Sequence, residues 1–357
     1  MAWTALAWRT RHAASFRNAN LDNAEIMNET KEEVVKHHPP PTHEKKEWSL
    51  GALGVQGPLI GLILLCVAFS LSTDVFLTWR NWLNIIDQIT VLGILAIGMT
   101  AVIIIAGIDL SVGSILAFSM MMMGWLFQTK GLPLPLAVMA GLLAGTACGL
   151  VNGLLITRAK LPPFIATLTM MSIGRGLANI ITEGRQIVGF PEGFTRLSTM
   201  RHFGFLSVTV ATFIILALIS WAVLRYTTLG HSLYAIGGSA EVARLAGIRV
   251  RQLTMSVYAF SGFLAALAAV ALACRLNSSQ PSAGLGYELD TIAAVVIGGA
   301  SLNGGVGGIP GTIVGVLIIG VLRNGLNLSG VSPFVQQIVI GVVIALAVAA
   351  DTLRRRD

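Results

Sequence analysis

IIDQITVLGILAIGMTAVIIIAGIDLSVGS occupies residues 85–114. Its first part, Ile85–Ala106, carries a single charged residue, Asp87, close to one end. A helix of that length, at about 1.5 Å per residue, crosses a hydrocarbon core of about 30 Å. GIDLSVGS (107–114) then breaks the run with two glycines, two serines and Asp109. In lipid, backbone groups freed by such a break must be buried in protein or line a cavity. A carboxylate at membrane depth is a functional candidate by default, which makes Asp109 and Ser111 candidate lining residues of a path. The local alternative is that Asp109 caps the next helix through the amide of Val112 or Gly113 and holds the break in shape.

Composition extends this reading to the whole chain. Of 357 residues, 54% are hydrophobic and 11% charged, and the mean hydropathy is +0.76. A soluble domain carries about 25% charged residues. The net charge of +7 is scattered at the ends of apolar runs, a pattern that sets membrane orientation and does not suggest nucleic acid. Cys66, Cys148 and Cys274 sit in or beside apolar segments without CxxC spacing, so they read as packing residues. No GxxxxGK[ST] occurs, so no P-loop is expected to bind ATP. No catalytic or metal-ligating set is expected.

Segments like Ile85–Ala106 recur at Pro58–Ser72, Ile115–Phe127, Leu136–Ile156, Phe164–Thr182, Leu206–Leu224 and Leu253–Cys274. Three more follow: a short Leu289–Ala300, then Ile309–Leu328 and Phe334–Ala350. Together they predict an all-α, polytopic helical membrane protein with about ten transmembrane helices. Because Leu289–Ala300 is short, about eight or nine spans is the alternative. Glu183–Phe205 is expected to be a loop or partial helix. An even number of crossings puts both termini on one side. With these termini cytoplasmic, the inner loops and carboxyl end carry nine Lys/Arg against six outside, with seven more in residues 1–49. That bias favours this orientation.

Residues 1–49 hold four of the six histidines and the Pro39–Pro41 run. They are expected to form a disordered cytoplasmic tail. They lack the apolar core of a signal peptide, and Met27 is a candidate start. Residues 50–353 form the transmembrane domain and 354–357 a basic cytoplasmic end. Within the fourth span Gly141, Gly145, Gly149 and Gly153 recur every four residues, a strip that lets a neighbouring backbone approach closely. NGLLITRAKLPPF (152–164) and NGLNLSGVSPF (324–334) echo one another, as inverted repeats would, although chance accounts for so short a match equally well.

RYTTLGHSLYAIGGSAEVARLAGIRVRQ (225–252) is the long polar interruption of the second half. Ser239 is a good N-cap, Glu241 lies in the first turn, Arg244 toward the other end, and Gly247 is a left-handed stop. From Ala240 to Ala246 the helix has about two turns, too short to cross a bilayer and marginal alone in water. Val242, Leu245, Ala246 and Ile248 give it an apolar edge. The segment reads as a connector to a partner protein; the alternative is a solvated loop with one turn of helix.

In the fifth span Ser172, Arg175 and Asn179 share a helix face. An arginine at a span centre costs about 3 kcal/mol on insertion scales, so Arg175 is expected to face the protein interior, a water-filled path or an acidic partner. Asn324, Gln336 and Gln337 are weaker candidates of the same kind. A sparse hydrogen-bonding path of this sort suits a neutral polyhydroxylated solute better than an ion.

Several stretches resemble one family: AGIDLSVGS (106–114), YAIGGSAEVARLAGI (234–248), RLNSSQPSAGLGYELDTIAAVVIGGASLNGG (275–305) and the span ending in NGLNL (324–328). They are similar to the membrane-spanning permease subunits of bacterial ribose/xylose-type sugar ABC importers, over about residues 50–353. The resemblance implies a permease subunit in the bacterial inner membrane that passes a monosaccharide or related polyol. It implies as partners cytoplasmic ABC ATPase subunits, a periplasmic sugar-binding protein and a second permease copy, identical or not, among membrane lipids. ATP and Mg would be bound by the partner ATPase and no cofactor by this chain. The family's coupling segment maps onto Tyr234, Gly237, Gly238, Ser239, Glu241, Ala246 and Gly247. Family members often have Asn where this chain has Ser239, and Arg or Lys in place of His231; hydroxyl and amide both cap a helix. The alternatives are a permease of the same superfamily for branched-chain amino acids or nucleosides, or a stand-alone ion-coupled carrier with Asp109 as its essential carboxylate.

Overall fold

The chain divides into two units, Met1–Ser49 and Leu50–Asp357. A computed structural model describes residues 56–354, all within the second. The expected tail (1–49) and the last residues of the basic end lie outside the described residues.

Helices dominate the described residues. In chain order the helices are α1 (Gln56–Ser72), α2 (Trp79–Ile104), α3 (Val112–Gln128), α4 (Leu134–Thr157), α5 (Pro163–Ile180), α6 (Glu192–Thr199), α7 (Val208–Tyr226), α8 (Thr228–Gly238), α9 (Ala240–Leu245), α10 (Val250–Leu276), α11 (Tyr287–Ile297), α12 (Ile309–Leu328) and α13 (Pro333–Arg354). Two short strands, β1 (Ile187–Val188) and β2 (Ser278–Ser279), pair antiparallel with Ile187 opposite Ser279. Side-chain caps fix several starts: Thr78 Oγ1 accepts from the Asn81 amide, and Ser207 and Thr227 do the same for Val210 and Gly230. Prolines in the first turns of α4, α5 and α12 begin those helices where an amide hydrogen is not needed.

Every residue of α2 from Ile89 to Ile104 is buried, so α2 is the central post, apolar on all sides because it touches protein on all sides. Most of α10 is buried too. Thr100 of α2 and Thr312 of α12 share a hydrogen bond of 2.7 Å. Outside this core, α4 and α7 leave most of their apolar surface exposed, as helices facing lipid or another subunit do. The glycine strip of α4 faces inward. A Cβ on Gly145 would lie 2.7 Å from Ala266 Cβ on α10, and one on Gly153 would lie 2.8 Å from Met255 Cα. One on Gly141 would lie 2.9 Å from the Ser119 carbonyl of α3.

Among the described residues five helices are long and apolar enough to cross a membrane: α2, α4, α7, α10 and α12. Three shorter apolar helices lie at Gln56–Ser72, Val112–Gln128 and Pro333–Leu346. The chain is thus an all-α polytopic membrane protein. The expected short span at Leu289–Ala300 is α11, whose 11 residues rise about 16 Å at 1.5 Å each, half a crossing. Gly298 and Gly311 permit α11 and α12 to touch backbone to backbone at the turn between them. Glu183–Phe205 contains β1 and α6. Phe194 of α6 packs on Phe190, with ring centroids 5.1 Å apart, and Phe190 stacks on Phe127.

Candidate functional site

Two glycine-rich breaks meet beneath α8. The first follows α2, where Ala106 adopts φ 60° and the chain turns through Gly107–Ser111. The second is the turn 301–308 between α11 and α12. The Gly305 amide donates to the Ile104 carbonyl at 2.8 Å, joining the two breaks. Gly237 of α8 lies against that junction, so close that an added Cβ would be 3.0 Å from Gly305 Cα and nearer still to the Ile104 oxygen. The Tyr234 hydroxyl donates to the Gly307 carbonyl at 2.8 Å. Leu233 and Ile236 are buried on the same side. Thus α8 is bolted to the ends of both inner helices.

The short helix α9 hangs from this bolt. Ser239 Oγ accepts from the Val242 amide at 3.3 Å, and Gly247 takes the left-handed conformation at φ 85°. Ala243 faces the protein and is buried, while Val242 and Leu245 are 64% and 74% exposed. Val242 and Leu245 therefore point away from the chain, while Ile248, the last residue of the expected edge, packs on the core. Glu241 and Arg244 form an exposed ion pair of 2.5 Å. The guanidinium hydrogen bonds, and then its charge, hold the Glu241 carboxyl below its ordinary range and raise the Arg244 pKa in return.

In the first break, Asp109 Oδ1 accepts from the Ser111 amide at 2.9 Å and the Ser111 hydroxyl at 2.6 Å. Its Oδ2 accepts from Ser261 Oγ of α10 at 2.8 Å. The expected bond to the Val112 or Gly113 amide is replaced by one to Ser111, because the carboxylate closes the tight turn before α3 instead of its first helical turn. Asn152 of α4 donates to Ser111 Oγ at 2.8 Å. Asp109, Ser111 and Asn152 are fully buried.

The other path candidates do not gather around Asp109. Ser172 and Asn179 are exposed on α5, with Arg175 half-buried between them. Arg175 Nη1 donates to the carbonyls of Pro281 and Ala283 at 2.7 and 2.9 Å, and Nη2 lies 3.8 Å from Glu288. Asn324 is buried on α12 in a reciprocal amide pair with Asn81, 2.9 Å each way. Both asparagines that begin the echoing stretches, Asn152 and Asn324, thus tie a helix end to a neighbour.

A family profile described as "Branched-chain amino acid transport system / permease component" matches residues 81–348. The chain belongs to this family. Within the permease family, the ribose import permease protein RbsC of Bacillus subtilis (strain 168) is 43% identical over 87% of this chain and 96% of its own. The fructose import permease protein FrcC of Rhizobium meliloti is 38% identical over 84% and 85%. The D-allose transport system permease protein AlsC of Escherichia coli (strain K12) is 38% identical over 82% and 89%. No solved structure matches.

Sequence reasoning about this permease missed the partners of its own candidates. Asn81 and Ser261 lay in no motif, and Glu288 and Asn152 lay in quoted stretches that gave them no partner, because each meets its partner only through folding. The turn SLNGGVGG was visible as glycine-rich, but nothing in it shows that α8 lies on it.

Proposed function

We infer that this chain is the membrane-spanning permease subunit of an ATP-driven importer, passing a monosaccharide, pentose or hexose, or a related polyol. The observation that carries this is near-full-length similarity to permeases named for ribose, fructose, D-allose and L-arabinose. Those names share a class and differ in the sugar, so the class is what transfers. We place the protein in a bacterial inner membrane, with about ten helices in or across the bilayer and both termini cytoplasmic. Its partners are cytoplasmic ABC ATPase subunits, which hold ATP and Mg, a periplasmic sugar-binding protein and a second permease copy. The chain itself performs no bond chemistry.

The mechanism assigned to it is mechanical. Tyr234, Gly237, Gly238, Ser239, Glu241, Ala246 and Gly247 couple it to the ATPase. The outward edge of α9, Val242 and Leu245, seats in that partner. Movement of α9 drags α8, and α8 pulls on the ends of α2 and α12 together. Ser172, Arg175 and Asn179 line the side of the path on α5. Asp109 and Ser111 hold the first break in the shape the path requires, and Asn324, tied to Asn81, fixes the far end of α12. An ion-coupled carrier needs a carboxylate that titrates within reach of the path, whereas both oxygens of buried Asp109 are already bonded.

The test is uptake of labelled sugars by cells lacking the chain, complemented with it, with and without the ATPase subunit. Accumulation is expected only when both are present. Accumulation by the permease alone, abolished by an uncoupler, would replace this reading with the ion-coupled one.

A further inference from the structure

Between α11, α12 and α13 lies a cavity of about 370 Å³, within the range of about 300–1,000 Å³ usual for small-molecule sites. Its polar lining comes from Asp290, Arg323, Gln336 and Gln337, its apolar lining from side chains such as Leu289 and Ile340. We propose that this cavity is a further place where the permeating sugar contacts the chain, held by the two glutamine amides and the Arg323 guanidinium. The proposal rests on the importer function inferred above.

The polar groups there have capacity to spare. Arg323 Nη2 donates to buried Asp290 at 2.5 Å, the one hydrogen bond its guanidinium makes to protein among the described residues. Its Nε is buried without a partner, while the side chain as a whole is 36% exposed. Gln336 uses one N–H on the Val331 carbonyl at 2.9 Å, leaving its carbonyl oxygen and second N–H. Gln337 is exposed, with both ends of its amide available.

Their chemistry selects the ligand class. A carboxamide both donates and accepts, as a sugar hydroxyl does. Asp290 and Arg323 neutralise one another, so the cavity offers no uncompensated charge to an ion. A zwitterionic amino acid would have to compete with that pair for its own counter-charges. A second cavity, about 290 Å³ among α2, α7, α8 and α10, is walled almost entirely by aliphatic side chains and Phe260. It offers hydroxyl groups almost nothing to bond.

The experiment uses the complemented cells, with initial uptake of labelled D-ribose, D-fructose and L-arabinose at saturating concentration and immunoblots of the membrane fraction. Gln337→Leu and Gln336→Leu are the variants; the first removes an exposed amide that makes no hydrogen bond among the described residues. Each is expected to lower the maximal rate about three- to tenfold, the size of one hydrogen bond, with the membrane level unchanged. Each should also change the ratio of pentose to hexose uptake, which a purely structural effect would leave alone. Wild-type rates and ratios in both variants would overturn the cavity assignment while the importer function stood. Failure of the wild-type chain to restore uptake of any sugar would overturn both.

Discussion

At Gly237 a hydrogen atom is all that separates α8 from the junction of the two breaks. Gly237→Val forces the Ile104 carbonyl and the Gly305 backbone apart, and neither is a flexible side-chain end. We expect uptake to be lost at a membrane level within about twofold of wild type; Gly176→Ala, where nothing lies within 4 Å of the new Cβ, should be neutral or slightly stabilising. Asp109→Ala leaves the Ser111 amide and two hydroxyls without their acceptor, at about 1–3 kcal/mol for each buried group. A lowered melting temperature of the purified protein is the measurement, and Asp109→Asn should lose less because it keeps one acceptor oxygen. Glu241 gives a pH prediction. Its carboxyl is held below the ordinary value, so the pair with Arg244 is fully formed above that value and weakens only as pH falls through the lowered one. Uptake measured across neutral pH should therefore show no step from this pair. Ser239, Glu241 and Gly247 were legible in the sequence because capping is local. Asn324 was legible only as a polar residue in a span: its partner Asn81 lies on another helix.

For the helices, periodicity and small-residue spacing carried most of the information. The strip on α4 could be read from the four-residue repeat, and the structure supplies what it packs against: α10 along most of its length, α3 at Gly141 and Gly145. Gly149→Leu should separate α4 from α10. Overpacking of that kind costs about 1–3 kcal/mol or more, checked as a drop in thermal stability in detergent, while a matched Leu143→Ala on the exposed face should cost far less. Leu245→Glu on the outward edge of α9 should leave the melting temperature unchanged and sharply reduce co-purification of the ATPase. Undiminished co-purification would remove α9 from the docking surface. The short segment expected at Leu289–Ala300 shows the limit of hydropathy. It is apolar because it is buried against α12, and composition alone does not separate a half-crossing from a full one.

Across the whole molecule, burial runs opposite to the simple picture of a span with a lipid face. The central helices α2 and α10 are sheathed in protein, while α1, α4 and α7 carry the apolar exterior. Proteoliposomes containing the purified chain alone should accumulate no sugar with or without ATP; uphill uptake there would contradict the coupling role. The amino-acid sequence by itself determined that this is a helical membrane protein, where its main apolar helices lie, and that a capped two-turn helix stands outside them. Each of those properties is written in contiguous residues, as hydrophobic length, periodicity or a cap. Only the tertiary structure decided that α8 rests on two separate breaks at once, that Arg175 meets Glu288, and that Asp290, Arg323, Gln336 and Gln337 surround one cavity. Those juxtapositions arise from the packing of helices far apart in the chain, and side-chain spacing along a single helix carries no record of them.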